Sequence, residues 1–182
     1  GRPSRALGDY PAAGFSVVAP IFSAAGDRVI GGRQGDIRAW SLADGRQLWR
    51  KQGPPGTTYP EPWPEGFLTA TLAGSRLLVH AWPPDGGEPR LLGELAGVTS
   101  FYHRGSHLAY RNGRQVLVRD LRRWDSPTRV AEMAVETGDV AISSDGSVVA
   151  ASDGKDEIRV WATTGNGFRP LRMFQAPGTR TV

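Results

Sequence analysis

Cysteine is absent from the 182 residues, which removes disulfides, thiolate metal sites and a cysteine nucleophile together. Lysine is nearly absent as well: Lys51 and Lys155 are the only two, so the net charge of +4 and the pI near 9.9 rest on arginine. No apolar run approaches the ~18 to 20 residues of a membrane span. Nor does an apolar stretch follow Gly1-Arg2-Pro3-Ser4-Arg5 as a secretory leader would require, so a cytoplasmic location is the expectation. The first residue is not Met, and the expectation drawn from that is a chain lying within a longer polypeptide. Finally, no window of helix length repeats apolar residues at i, i+3, i+4 and i+7, so almost no helix is expected.

What is abundant is Gly, at 24, and Pro, at 14, together about a fifth of the chain, beside a hydrophobic fraction of 39%. That turn-residue load is too high for a helical bundle, and the apolar fraction is too high for a disordered tail. An all-β domain with many tight turns satisfies both.

The strands recur. Phe22-Ser23-Ala24-Ala25-Gly26-Asp27-Arg28-Val29-Ile30 matches Ile142-Ser143-Ser144-Asp145-Gly146-Ser147-Val148-Val149-Ala150. Each has an apolar strand end, a serine, a turn closed by Gly and a second apolar strand. Gly fits there because the turn needs positive φ. After a short gap Gly35-Asp36-Ile37-Arg38-Ala39-Trp40 matches Asp156-Glu157-Ile158-Arg159-Val160-Trp161. Weaker copies lie around Gly74 and Gly105. The turn glycines Gly26, Gly74, Gly105 and Gly146 stand 48, 31 and 41 residues apart, a mean near the ~40 to 45 of a four-stranded propeller blade. Four units follow, at about residues 14–53, 65–96, 97–134 and 137–176. Ile37 and Ala39 alternate with Arg38, as Ile158 and Val160 do with Arg159, which predicts half-buried strands. Residues 53–64 carry five prolines, cannot form a central strand, and are expected to make a long inter-blade loop and a candidate contact surface.

Gly154-Lys155-Asp156-Glu157-Ile158-Arg159-Val160-Trp161 resembles a WD repeat of bacterial type, and the first unit is similar to it. Asp44-Gly45-Arg46-Gln47-Leu48-Trp49 also resembles the strand ending of quinoprotein-like propeller repeats. The resemblance implies β-propeller blades, about four, each a four-stranded antiparallel sheet. It departs from the family at several places. Ser41 and Ala162 follow the two tryptophans in place of Asp, Gln34 and Lys155 stand at the upstream Asp position, and Gly138-Asp139 replaces Gly-His. The family's polar network is therefore expected to be missing, leaving stability to strand ladders and apolar packing. WD-type rings take about seven blades, while propellers span four to eight. Four blades imply a ring completed by further blades of a parent polypeptide or by a second copy.

The search for chemistry returns little. His103 and His107 lie four apart, but on a hairpin rather than a helix face, and with His80 they offer no third-ligand pattern. No nucleophile elbow, phosphate loop or zinc-protease motif is present, so no catalytic residue, metal or cofactor is assigned. Trp40 and Trp161 read as core residues of the repeat. Trp63, Trp82 and Trp124 fall in or beside turns, where an exposed aromatic can anchor a partner. Arg119, Arg122 and Arg123 surround Trp124 and Asp125 and would suit an acidic partner surface. A +4 charge spread over this length argues against nucleic acid.

The function expected is a protein-interaction or sensor module, a non-enzymatic regulatory part of a larger bacterial protein, since repeated sheets give a stiff frame and their loops give specificity. The alternative is part of a propeller enzyme, quinoprotein-like or hydrolytic, whose active site needs blades outside this sequence.

Overall fold

The computed structural model describes residues 18–33, 35–53, 60–124, 127–136, 138–164 and 167–175. Every regular element among them is a β-strand, and the sixteen strands form four four-stranded antiparallel sheets in up-and-down order. The first sheet is β1 (Val18–Phe22), β2 (Arg28–Arg33), β3 (Asp36–Ser41) and β4 (Gln47–Gln52). The second is β5 (Glu61–Trp63), β6 (Gly66–Ala73), β7 (Arg76–Trp82) and β8 (Arg90–Leu95). The third is β9 (Val98–Arg104), β10 (His107–Asn112), β11 (Gln115–Asp120) and β12 (Thr128–Glu132). The fourth is β13 (Val140–Ile142), β14 (Val148–Ser152), β15 (Glu157–Thr164) and β16 (Gly167–Gln175). The chain divides into two compact units, Gly1–Glu94 and Leu95–Val182, each containing two of these sheets.

The repeat seen in the sequence is a repeat of hydrogen bonds. Ser23 N donates to Arg28 O and Gly26 N to Ser23 O, and Ser143 N to Val148 O and Gly146 N to Ser143 O repeat the pair. The serine hydroxyls accept from the amides of Arg28 and Val148 five residues on. Leu42 N to Asp27 O in the first sheet is matched by Thr163 N to Ser147 O in the fourth. Gly26 and Gly146 sit at φ +67° and +71°, where a Cβ would crowd the next carbonyl.

The second sheet corrects the sequence reading by one strand. Gly74 turns β6 into β7, the second hairpin of its sheet, whereas Gly26, Gly105 and Gly146 turn the first strand into the second. The first turn of the second sheet is Pro64-Glu65, closed by Gly66 opposite Trp63. Gly26, Gly66, Gly105 and Gly146 are 40, 39 and 41 residues apart, so the irregular spacing disappears. Glu61–Trp63, read as loop, is the short outer strand β5; Pro62 is tolerated because an edge strand has one unpaired side. The rest of the proline-rich loop, residues 54–59, lies outside the described residues, as do Gln34, Asp125 and the Gly165-Asn166 turn.

Strand register places Val29 opposite Trp40, Thr69 opposite His80, Leu108 opposite Arg119 and Val149 opposite Trp161. The strand-ending position of the repeat is thus Trp40, His80, Arg119, Trp161. The tryptophans there are core residues, 4% and 5% exposed.

Each unit packs its two sheets through an apolar layer. In the first, Ile30, Ile37 and Ala39 meet Phe67 and Trp82, with Ile21 and Trp49 beside them. Phe67 lies between two indoles, its ring centre 5.9 Å from that of Trp49 and 5.6 Å from that of Trp82, all nearly parallel. In the second, Ala109, Val116 and Val118 meet Val140, Ile142, Val149, Ala151 and Trp161, with Met133. Burying such side chains contributes roughly 1.5 to 3 kcal/mol each before the entropy of ordering is subtracted.

Two expectations fail here for physical reasons. Strand β3 is buried on both faces rather than alternating. Its polar face is tolerable because Asp36 accepts hydrogen bonds from Arg38 (2.6 Å) and Arg50 (2.9 Å). Burial pushes the Asp36 pKa up, and the two guanidiniums outweigh it, holding the carboxyl below its ordinary value. Glu157 and Arg159 repeat the pair two residues apart on β15. Nor do ladders and apolar packing act alone. Arg111 on β10 is fully buried, and its guanidinium donates to the carbonyls of Ser152, at 2.9 Å, and Val135. It ties the third sheet to the fourth. Asp139 belongs to the same junction: its amide donates to Ser152 Oγ, and its carboxylate accepts from Ser100.

Candidate partner-binding turn

Of the residues singled out in the sequence, Arg122, Arg123 and Trp124 come together in the turn from β11 to β12. Leu121, 2% exposed, pins its start, with its amide donating to Ser106 O. Asp120 then folds the chain back. Its carboxylate accepts the Arg122 amide at 2.9 Å, and its carbonyl accepts those of Arg123 and Trp124. An aspartate bonding two residues ahead is a standard way to set a turn. The consequence is that Arg122 and Arg123 are exposed.

Trp124 has φ +41°, the one non-glycine residue with positive φ among those described. A bulky side chain in that region is strained, at roughly 1 to 3 kcal/mol, and needs its surroundings to hold it. Arg119 does so. Its Nη1 donates to Trp124 O at 2.8 Å, and its guanidinium carbon lies 5.0 Å from the indole centre, within cation–π range. Arg119 occupies the register position of Trp40 and Trp161, so the third sheet replaces a core tryptophan by an arginine that reaches out and grips a turn tryptophan. Exposed Arg104 ends β9 at the same end of the sheet. The turn presents a half-buried indole held by Arg119, with Arg122 and Arg123 exposed just before it in the chain.

Trp63 and Trp82 do not belong to this surface and are corrected to core residues, at 7% and 3% exposed. Trp82 stacks on Phe67 and donates Nε1–H to Thr69 Oγ1 at 2.8 Å. Turn sequence alone could not show this, because the tryptophan closing β7 reaches back over its own sheet.

The histidines do not converge either. His103 is 6% exposed and stacked near Phe101, and burial lowers its pKa to about 4. Burial also lowers that of His80. His107 lies beside Ser144 O and Ser106 Oγ. Among the described residues no group of three or more His, Asp or Glu is placed to hold a metal. No helix of the described residues is long and apolar enough to cross a membrane.

Sequence reasoning missed Arg111 and the gripping role of Arg119. The acid-x-Arg pairs Asp36/Arg38 and Glu157/Arg159 were legible as charges two apart, hence on one strand face. Arg111 carried no signal beyond a lone arginine in an apolar strand.

No family model matches the chain, and no curated protein matches it in sequence. Solved structures do match in fold. A functionally unknown protein from Desulfotomaculum acetoxidans superposes with a TM-score of 0.58 at 12% identity, over 86% of this chain and 55% of that one. The N-terminal domain of Nup159 gives 0.65 at 14% identity, over 90% and 45%. Hsv2 of Kluyveromyces marxianus gives 0.62 at 14%, over 85% and 48%. The chain spans about half the length of these structures. The Nup159 and Hsv2 matches are β-propellers, and the four up-and-down sheets described here are blades of that fold.

Proposed function

We propose that this chain is a β-propeller interaction module of WD-repeat type, which recognises an acidic protein segment through the β11–β12 turn. In this reading it is a non-enzymatic, regulatory part of a larger bacterial protein. The observation that carries the reading is Trp124, held at φ +41° by Arg119 with Arg122 and Arg123 exposed beside it. Backbone strain of this kind persists where a site is shaped before its partner arrives. Arginine and tryptophan are also the side chains that dominate protein interfaces. The sheets supply the rigid frame and the turn supplies the contact. A protein partner also accords with one further match, a structure of S. cerevisiae Dbp5 bound to Nup159 and Gle1 (TM-score 0.63, 14% identity, over 87% of this chain and 44% of that one).

The test is fluorescence anisotropy with a labelled glutamate-rich peptide. Binding should weaken steeply as salt rises from ~50 to ~300 mM, because exposed charges are screened over a Debye length of ~10 Å. An Arg122→Glu/Arg123→Glu variant should lose the binding, and Trp124→Ala should weaken it about tenfold, a hot-spot loss of ~1.4 kcal/mol. The double variant should melt within about 3 °C of the parent, since exposed turn changes are usually small. Equal affinity of the double variant and the parent would sink the proposal.

A further inference from the structure

An open hollow of about 340 Å³ lies between the outer strands of the third and fourth sheets. Its walls are Ala131 of β12, Val160 and Trp161 of β15, and Pro170, Leu171 and Met173 of β16. Ala131 stands opposite Val116, as Lys51 stands opposite Ile37 at the same place in the first sheet. The repeat therefore carries a long side chain there in one sheet and a methyl group in the other, and the methyl group leaves room. Leu171 and Met173 are 47% and 54% exposed, an apolar pair on an edge strand, where charged side chains usually stand. The charged groups lining the hollow are Arg159 and Arg172, with no carboxylate among them. Glu157 pairs with Arg159. Arg172 lies over the Phe174 ring and has no carboxylate partner among the described residues.

The occupant's chemistry follows from these walls. Apolar surface takes an aliphatic side chain, and a guanidinium, which only donates, takes a carboxylate. A small-molecule site buries most of its ligand, which this open hollow cannot do. Strand addition along β16 is disfavoured as well, because Pro170 has no amide to offer and a bulge interrupts the register at Val160/Trp161. The hollow also continues from the β11–β12 turn. Strand β12 begins at Thr128, four residues after Trp124, and Ala131 lies three residues further, ~10 Å along the strand. We infer that the acidic segment recognised at this turn carries a large aliphatic residue, which it inserts between β12 and β16 with a flanking carboxylate toward Arg172. The inference rests on the reading of the turn as the acidic contact and adds the specificity to it. Charge brings the segment to Trp124, and the hollow selects the segment with a leucine or methionine a few residues away.

The test uses labelled glutamate-rich peptides carrying one leucine, moved residue by residue along the sequence, beside the leucine-free peptide. At the matching position the leucine should tighten binding about tenfold, the scale of one well-buried interface side chain. Ala131→Trp, which fills the hollow, and Leu171→Glu, which puts a carboxylate in its wall, should each abolish that gain and leave the leucine-free peptide bound as before. The two changes lie on opposite walls, so misfolding of one leaves the other to report. The inference is overturned if no leucine position gains over the leucine-free peptide, or if the gain survives both changes. The turn reading still stands in either case, provided the leucine-free peptide binds the parent and is lost by Arg122→Glu/Arg123→Glu. A gain lost in both hollow variants but untouched by Arg122→Glu/Arg123→Glu supports the insertion and sinks the turn. Failure of every peptide to bind sinks both.

Discussion

Replacing Arg111 by Met tests how the second unit is held together. The side chain is fully buried, with its guanidinium donating to the carbonyls of Ser152 and Val135. The site is tight: a Cβ on Gly138 would fall 2.1 Å from Ser152 O and 2.8 Å from Arg111 Nη1. Methionine keeps most of the aliphatic volume and removes the donors. Two effects then oppose each other. Removing a buried cation relieves desolvation, and buried charges can be replaced by apolar groups without loss. Here burial disfavours the charge and outweighs the pull of the Asp139 and Asp153 carboxylates, so part of the loss is offset, but both carbonyls lose their donor. Leaving a buried acceptor unsatisfied costs about 1 to 3 kcal/mol, so two such losses, less the desolvation relief, come to about 3 kcal/mol. For a chain of this size each kcal/mol shifts the melting temperature by about 2 to 4 °C, giving a fall of about 6 to 12 °C by calorimetry. Arg111→Lys, whose single ammonium cannot fork to both carbonyls, should fall between. A melting point for Arg111→Met within 2 °C of the parent, or above it, would refute the claim that this arginine joins the third and fourth sheets.

Two further outcomes follow from buried groups and close approaches. His103 is neutral in the fold, with its pKa lowered by burial to about 4 against about 6.5 unfolded. Above pH 6.5 both states are neutral and nothing changes; between 6.5 and 4 only the unfolded chain takes the proton. Stability should therefore fall on acidification through that window, by up to about 1.4 kcal/mol per pH unit. Melting curves at pH 7 and 4.5 should show less of this fall in His103→Phe, and an identical fall in both would contradict the assignment. Gly66→Ala should cost 3 kcal/mol or more, since its Cβ would lie 2.0 Å from Trp82 O. Gly74→Ala, with open space at φ +62°, should cost about 1 to 2 kcal/mol. Equal losses in urea unfolding would undo the placement of Gly66 as the first-hairpin glycine of the second sheet.

The fold was readable from the sequence because its signals are local. Gly26 and Gly146 announce positive-φ turns, and Ile37/Ala39 and Ile158/Val160 announce strands, each within a few residues. The second sheet misled because the prolines around Glu61-Pro62-Trp63 hid the strand before Gly66 while Gly74 follows an apolar one, and only the pairing of Trp63 with Gly66 shows which hairpin comes first. Sidedness was less readable. Period-2 alternation separates the faces of a strand but does not say whether the polar face meets water. On β3 it does not, and Arg38 is buried because Asp36 is beside it. The tryptophans show the same limit from the other side. Trp63, Trp82 and Trp124 all stand near turns, and two are core while the third is held half-open. What separates them is the side chain each meets. Trp82 finds Phe67 and Thr69, partners that bury an indole and satisfy its N–H, whereas Trp124 finds Arg119, which holds the ring without covering it. An arginine at the register position of a core tryptophan, five residues before another tryptophan, is therefore a sequence signal for a half-buried, pre-set aromatic on a blade. It becomes legible only once the register of all four sheets is known.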